Sequence, residues 1–468
     1  MKLALKIFIL LLILIPGVSS AHSFGRLYNL PVPFSLYLFG GAGAMLISFL
    51  FIGYFLDKNS HSAYPRKDLS GNKFFNLLTT PKFISFAKYT SFFLFVFTIL
   101  SGLFGTDMVY SNWSMPFFWI IVVLGFTYFT AIFGNTYEVL NPWKTLTDWV
   151  VGKNSEALFE YPKKLGYLPA FFFYFIFIWI ELIGETTPSK LAVILIAYTI
   201  INDLGVVLWG RNIWYKYCEF FSVFFRMIGK IAPLEYNSGK LYLRPPFMGA
   251  LKEPADSLSL MLFIIFMLAS TAFDGFKETL SYTTLYFRNI EGVFRPIFGN
   301  NSYALFETLS LAIFPLVFFG IYLLFIYLAK VIAKSHLSLR ELALNFAFSL
   351  LPIVFVYHIA HYYTLLFTEG PTMLRLISDP LGLGHNFFGT KDYYSSFILP
   401  INFIWHSQVA LILLGHIVSV YLSHVVVLKI FPDKRSGLLS QFPMLCLMVI
   451  FTVIGLWILA QPITGGAL

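Results

Sequence analysis

The sequence predicts an all-α polytopic membrane protein, a bundle of about ten transmembrane helices behind a cleaved signal peptide. Three observations carry this. The chain is 58% hydrophobic and only 12% charged over 468 residues, more apolar surface than a soluble domain can hide. Apolar runs of roughly twenty residues, the length that crosses a bilayer, recur from end to end. Lysine and arginine fall in alternate loops, as topology requires of a membrane protein.

Met1 to Ala21 has the layout of a secretory signal. Lys2 and Lys6 precede an apolar core, Ile7 to Ile15, and Ser19 and Ala21 are the small residues a signal peptidase reads. Cleavage there frees His22 as the mature N-terminus and leaves 22–468 as a single transmembrane domain. Apolar runs then follow at roughly 34–56, 83–104, 115–134, 167–186, 190–209, 256–274, 304–328, 341–366, 401–428 and 438–461. Gly40-Gly41-Ala42-Gly43 lies inside the first of them and allows close helix packing.

The loops 57–82, 136–166, 210–255, 329–340 and 429–435 hold about 22 of the 32 basic residues, and the opposite set about 7. This asymmetry predicts that both termini lie on the outer side of the membrane. It also accounts for the net charge of +9 without a nucleic-acid partner. Two cysteines, Cys218 and Cys446, cannot build a disulfide framework or a cysteine-ligated cluster. Asn141 to Val151 and Ile213 to Ile231 mix aromatic and charged residues and read either as interfacial helices or as short helices packed on the bundle.

The functional signal is histidine. His358 and His361 lie three residues apart in an otherwise apolar stretch, on one face of a helix. Imidazoles are costly in hydrocarbon, so an intramembrane pair marks a candidate site. With the orientation above, His358, His361 and His406 fall in the outer third of the membrane, His385 in the outer loop between their helices, and His22 on the same side. Asp274, Glu181 and Glu185 enter the same layer. His416 lies about 15 Å along its helix from His406, and His424 about 27 Å. Asp203, with Arg211 two turns on, belongs to the inner half as an ion pair or helix-end contact.

Three chemistries fit this layer. A metal site would draw on His22, His358, His361 and His406, with His385 or Asp274 as a further partner. Copper leads, since a free N-terminal histidine can chelate through amine and ring, and zinc is the alternative. Such a site would make the protein a membrane oxidoreductase or hydrolase acting on a small apolar substrate. A haem held between helices would make it the anchor of a redox complex. A relay of Asp274, Glu181 and the histidines would make it a proton-coupled or small-molecule transporter. Walker, His-Glu-x-x-His, dinucleotide-glycine and Cys-x-x-Cys motifs do not occur.

Several short stretches also carry a family likeness. They include His22-Ser23-Phe24-Gly25-Arg26, Asn29-Leu30-Pro31-Val32-Pro33, Asn141-Pro142-Trp143, Trp209-Gly210-Arg211 and Arg244-Pro245-Pro246-Phe247. Further along come Thr271-Ala272-Phe273-Asp274-Gly275, His361-Tyr362-Tyr363, Ser378-Asp379-Pro380 and Gly415-His416. Through them the chain resembles a group of bacterial polytopic proteins labelled fenitrothion hydrolase, over nearly the whole mature length. The resemblance implies the membrane architecture and, by its label, hydrolysis of a phosphorothioate ester. A two-metal hydrolase would need carboxylates and histidines holding ions about 4 Å apart, and Asp274 with His358 and His361 could form part of such a site.

Overall fold

The computed structural model describes residues 33–55, 66–153, 156–237, 239–393, 399–431 and 434–461. Residues 1–21, expected to be a signal peptide, and His22 lie outside the described residues. Each of the ten apolar runs contains a helix: α1 (Phe34–Phe55), α2 (Pro81–Phe104), α3 (Ser114–Phe133), α4 (Leu168–Leu182), α5 (Pro188–Trp209), and, after the short α6 (Phe220–Gly229), α7 (Leu258–Lys277), α8 (Ser302–Ala333), α9 (Leu339–Thr368), α10 (Ile401–Ile430) and α11 (Lys434–Ala460). Among the described residues nine of these are long and apolar enough to cross a membrane. The exception among the ten, α4, has only 15 residues.

The helices start where the sequence caps them. Thr80, Thr187 and Ser257 each accept a hydrogen bond from a first-turn amide, and Pro81 and Pro188 take first-turn positions, where no donor is lost. At α9, Ser338 and Glu341 form a reciprocal capping box. Pro315 and Pro443 sit inside α8 and α11, as membrane helices tolerate. α3 is unusual: Phe117–Gly125 is π-helical between α-helical ends, a widened geometry that recurs at functional sites.

Inter-loop contacts fix which helix ends lie together. At one end, β1 (Lys67–Asp68) and β2 (Leu234–Asn237) flank β3 (Lys240–Leu243) in an antiparallel sheet that ties loop 57–82 to loop 210–255. Lys88 and Arg211 both reach Asp148, Ala255 N–H donates to Leu344 O, and Lys429 donates to Leu251 O. All five basic loops therefore gather at this end. At the other end Thr106 and Trp113 bond the backbone of Leu381 and Pro380, and Lys277 bonds Leu182 O. α1 begins and α11 finishes there too: Tyr37 packs on Trp405, and Trp457 on Phe276.

The centre of the bundle is α7, where Phe263, Ile264, Phe266 and Phe273 have no exposure. It packs against α4, α8 and α9, while α9 also lies against α10 and the π-helical part of α3. Close approach uses small residues, since dispersion rather than hydrophobic exclusion drives helix association in lipid. Of the Gly40–Gly43 stretch, Gly41 is the one that faces neighbours, Leu413, Thr452 and Leu456. The segment 213–231 departs from an interfacial position. Phe220, Phe221, Val223, Phe224 and Phe225 of α6 are buried in the bundle core.

Candidate functional site

Asp274 lies in the last turn of α7, and α9 brings a histidine and a tyrosine to it. His361 Nε2 is 2.8 Å from Asp274 Oδ2, and the Tyr362 hydroxyl donates to the same oxygen at 2.7 Å. A carboxylate oxygen accepts, so His361 carries its proton on Nε2. The aspartate side chain is 13% exposed and the histidine 27%, which makes these charge-assisted bonds in a poorly solvated setting.

One helical turn before His361, His358 turns to the other side of Tyr362. Its ring packs against Tyr362 at 5.1 Å and Tyr128 of α3 at 5.8 Å. Its Nδ1 is buried and finds no hydrogen-bond partner among the described residues. His358, Tyr362, Glu181, Ser270 and Thr271 share an internal cavity of about 30 Å³, closed at its base by phenylalanines of α6. A buried polar group without a partner is costly, and a cavity of this size takes about two waters, which such groups can hold. On the far side, His361 lines a second cavity of about 20 Å³ with Tyr357 and Gly275. The Tyr362–Asp274–His361 chain thus connects two small cavities across the α7–α9 interface.

The predicted ligand set divides. Asp274 and His361 bond directly, and His358 sits one turn away on the same helix. His406 does not join them: its Nδ1–H donates to Asn402 O at 2.7 Å, and its Nε2 faces the Tyr37 hydroxyl at 3.5 Å. His385 is an exposed loop residue stacked on Phe387. His22 lies outside the described residues. Among the described residues no three His, Cys, Asp or Glu side chains converge closely enough to hold a metal ion. For a metal near Asp274, His361 would offer Nδ1, its Nε2 being held by the carboxylate as in carboxylate-oriented ligands. The two intramembrane cavities have room for water but not for a porphyrin.

Several polar groups elsewhere have structural partners. Arg211 pairs with Asp148, at 2.5 and 3.2 Å, rather than with Asp203, which accepts from Thr147 at 2.9 Å. His416 Nδ1–H donates to Ile412 O, within its own helix. Glu219, which sequence reasoning passed over, is buried at the start of α6 and accepts from Ser222 N–H at 2.7 Å, Tyr198 at 2.8 Å and Asn141 at 3.2 Å. An acidic residue immediately before an aromatic run was its only sequence signal.

Arg244 is a further residue whose role was not legible. It is buried, and its guanidinium donates to Ala232 O at 2.9 Å, Gly229 O at 3.0 Å and Lys230 O at 3.2 Å, besides Glu235 at 3.0 Å. A cation on the carbonyls that end α6 offsets the negative end of the helix dipole. Burial raises the Glu235 carboxyl, but its bond to Lys252 and the charges of Arg244, Lys252 and Arg66 outweigh this and hold it below the ordinary range.

Comparison with protein-family models, with curated proteins and with solved structures finds no match to this chain.

Proposed function

We propose that this protein is a proton-coupled transporter of the bacterial inner membrane, with its basic loops in the cytoplasm and Asp274, His361, Tyr362, His358 and Glu181 as its proton-handling groups. One observation carries the reading: a single Asp274 oxygen is shared by an imidazole and a phenol, beside a cavity lined by a second carboxylate and a second imidazole. Ionisable groups at such depth mark ion or proton pathways. Proton transfer needs groups within about 2.6–3.2 Å or one water apart; the two Asp274 bonds meet the first condition, and the cavity has space for the second. The basic loops gathered at one end support the proposed orientation.

The test is proton movement into proteoliposomes carrying a trapped pH-sensitive dye, under an imposed membrane potential, with and without candidate solutes. A solute-dependent proton flux reduced about a hundredfold or more by Asp274→Asn is the expected result, a loss on the scale of removing one positioned acid or base. Equal flux in parent and variant across the solutes would overturn the reading. Stoichiometric copper or zinc in the purified protein, lost on changing His358 and His361, would assign the cluster to metal chemistry on a small apolar substrate instead.

A further inference from the structure

The basic end of the bundle holds a larger cavity, about 450 Å³, reaching in beside α6. Volumes of this order take small-molecule ligands. Five cations line it, Lys144, Arg211, Lys216, Arg226 and Lys230, with three carboxylates, Glu138, Glu253 and Asp256. Three of the cations are already matched: Arg211 to Asp148 at 2.5 Å, Lys230 to Glu253 at 3.1 Å and Lys144 to Glu138 at 4.0 Å.

Lys216 and Arg226 have no carboxylate partner among the described residues. They are held by contacts that leave their charge unneutralised. Arg226 donates to the Lys216 carbonyl at 2.7 Å and lies 5.8 Å from the centre of the Tyr167 ring. The Lys216 ammonium lies 4.8 Å from the Tyr217 ring centre. A separate observation points the same way: the Tyr137 hydroxyl and Asn135 Oδ1, both from lining residues, are buried without a hydrogen-bond partner among the described residues. Tyr137 is only 4% exposed.

We propose that this vestibule binds a phosphate ester, with the phosphate on Arg226 and Lys216 and the Tyr137 hydroxyl as a further donor. A phosphomonoester carries about −1.5 to −2 charge near neutral pH, which the two unmatched cations attract, and a guanidinium fork suits its oxygens. Asn135 Oδ1 and the lining carboxylates accept from hydroxyl groups on the organic part. A soluble sugar or glycerol phosphate and a lipid headgroup share this chemistry. The site is separate from the Asp274 cluster: α6 stands between them, with Phe220, Phe221, Phe224 and Phe225 on the intramembrane cavity and Ser222, Arg226 and Met227 on the vestibule.

The experiment uses the full chain in phosphatidylcholine nanodiscs, titrated calorimetrically with glycerol 3-phosphate and with inorganic phosphate. Glycerol 3-phosphate should bind the parent and bind Lys216→Gln/Arg226→Gln about tenfold or more weakly, the scale of one charge-assisted hydrogen bond. Arg226→Lys should retain part of the affinity. Lys240→Gln, a change at the same end but paired with Asp68, should leave it intact. In a second arm, nanodiscs containing phosphatidylglycerol are analysed by native mass spectrometry. Lipid retained by the parent and lost from the double variant, without glycerol 3-phosphate binding, supports the proposal with the headgroup as ligand. Binding of both probes that is equal in parent and variant, or no binding in either arm, overturns it. Should the double variant fail to fold, the exposed Lys216→Gln alone carries the test, with about threefold weaker binding expected. The readout is binding, so its failure is distinct from failure of proton flux.

Discussion

His361 and Asp274 meet at 2.8 Å across the interface of the two helices at the centre of the bundle, and Tyr362 of the same turn as His361 completes the contact at 2.7 Å. Asp274→Asn keeps the volume and one acceptor but removes the charge. It should lower stability by about 1–3 kcal/mol and abolish proton flux. Tyr362→Phe removes one bond and should cost about 0.5–1.5 kcal/mol. Thermal unfolding in nanodiscs beside the vesicle assay separates the two effects, and an Asp274→Asn protein as stable and active as the parent would reduce the contact to packing.

Arg244 pins the end of α6 through three carbonyls and Glu235. Truncation to alanine leaves those acceptors and a carboxylate short of their partner, with an expected loss of about 3–5 kcal/mol. Limited proteolysis should then cut between α6 and α7 faster than in the parent. Unchanged protease resistance would show that packing of the α6 phenylalanines suffices.

The depressed Glu235 carboxyl gives a pH signature. Its folded pKa lies below the unfolded value, so its contribution to stability is full above the unfolded pKa, about 4.3, and is lost as pH falls through the lower folded value. Thermal unfolding followed from pH 6 down to pH 3 should therefore show a stability decline that Glu235→Gln flattens. Parallel curves for the two proteins would refute the linkage.

Gly415 lets α9 and α10 approach. A Cβ there would lie 2.2 and 2.8 Å from the Val356 methyls and 3.0 Å from its Cβ, a crowding a β-branched side chain on a helix relieves poorly. Gly415→Ala should cost about 1–3 kcal/mol, and Gly415→Ala with Val356→Ala should recover part of it. Thermal unfolding of the single and double variants reads this directly.

Helix positions were legible because lipid demands long apolar runs, and each of the ten runs contains a helix, nine of them among the described residues long enough to span. The burial of α6 was not, because Phe220 to Phe225 suits an interfacial helix as well as a core one; the packing of α6 against α4 and the α-helical end of α3, Phe126–Phe133, decides it. His358, His361 and Asp274 were marked by their cost in hydrocarbon, and the structure places them together. His406 was expected in the same layer, but its helix face turns it toward Tyr37, a rotation that depth arguments do not contain. The vestibule draws residues from positions 135 to 348, a convergence that no local pattern encodes.

The shortness of α4 extends beyond the protein. Its fifteen residues span about 22 Å, against a hydrocarbon slab of about 30 Å, and Phe172 on it faces outward, 58% exposed. Where this flank meets lipid, the mismatch is expected to thin the bilayer into a dimple on the side where Glu181 lies. Elastic energy of this kind grows with membrane thickness. Thick, sterol-like bilayers therefore work against the fold at this flank, thin ones favour it, and two such dimples lower their joint cost by merging, an attraction between copies that needs no contact between them.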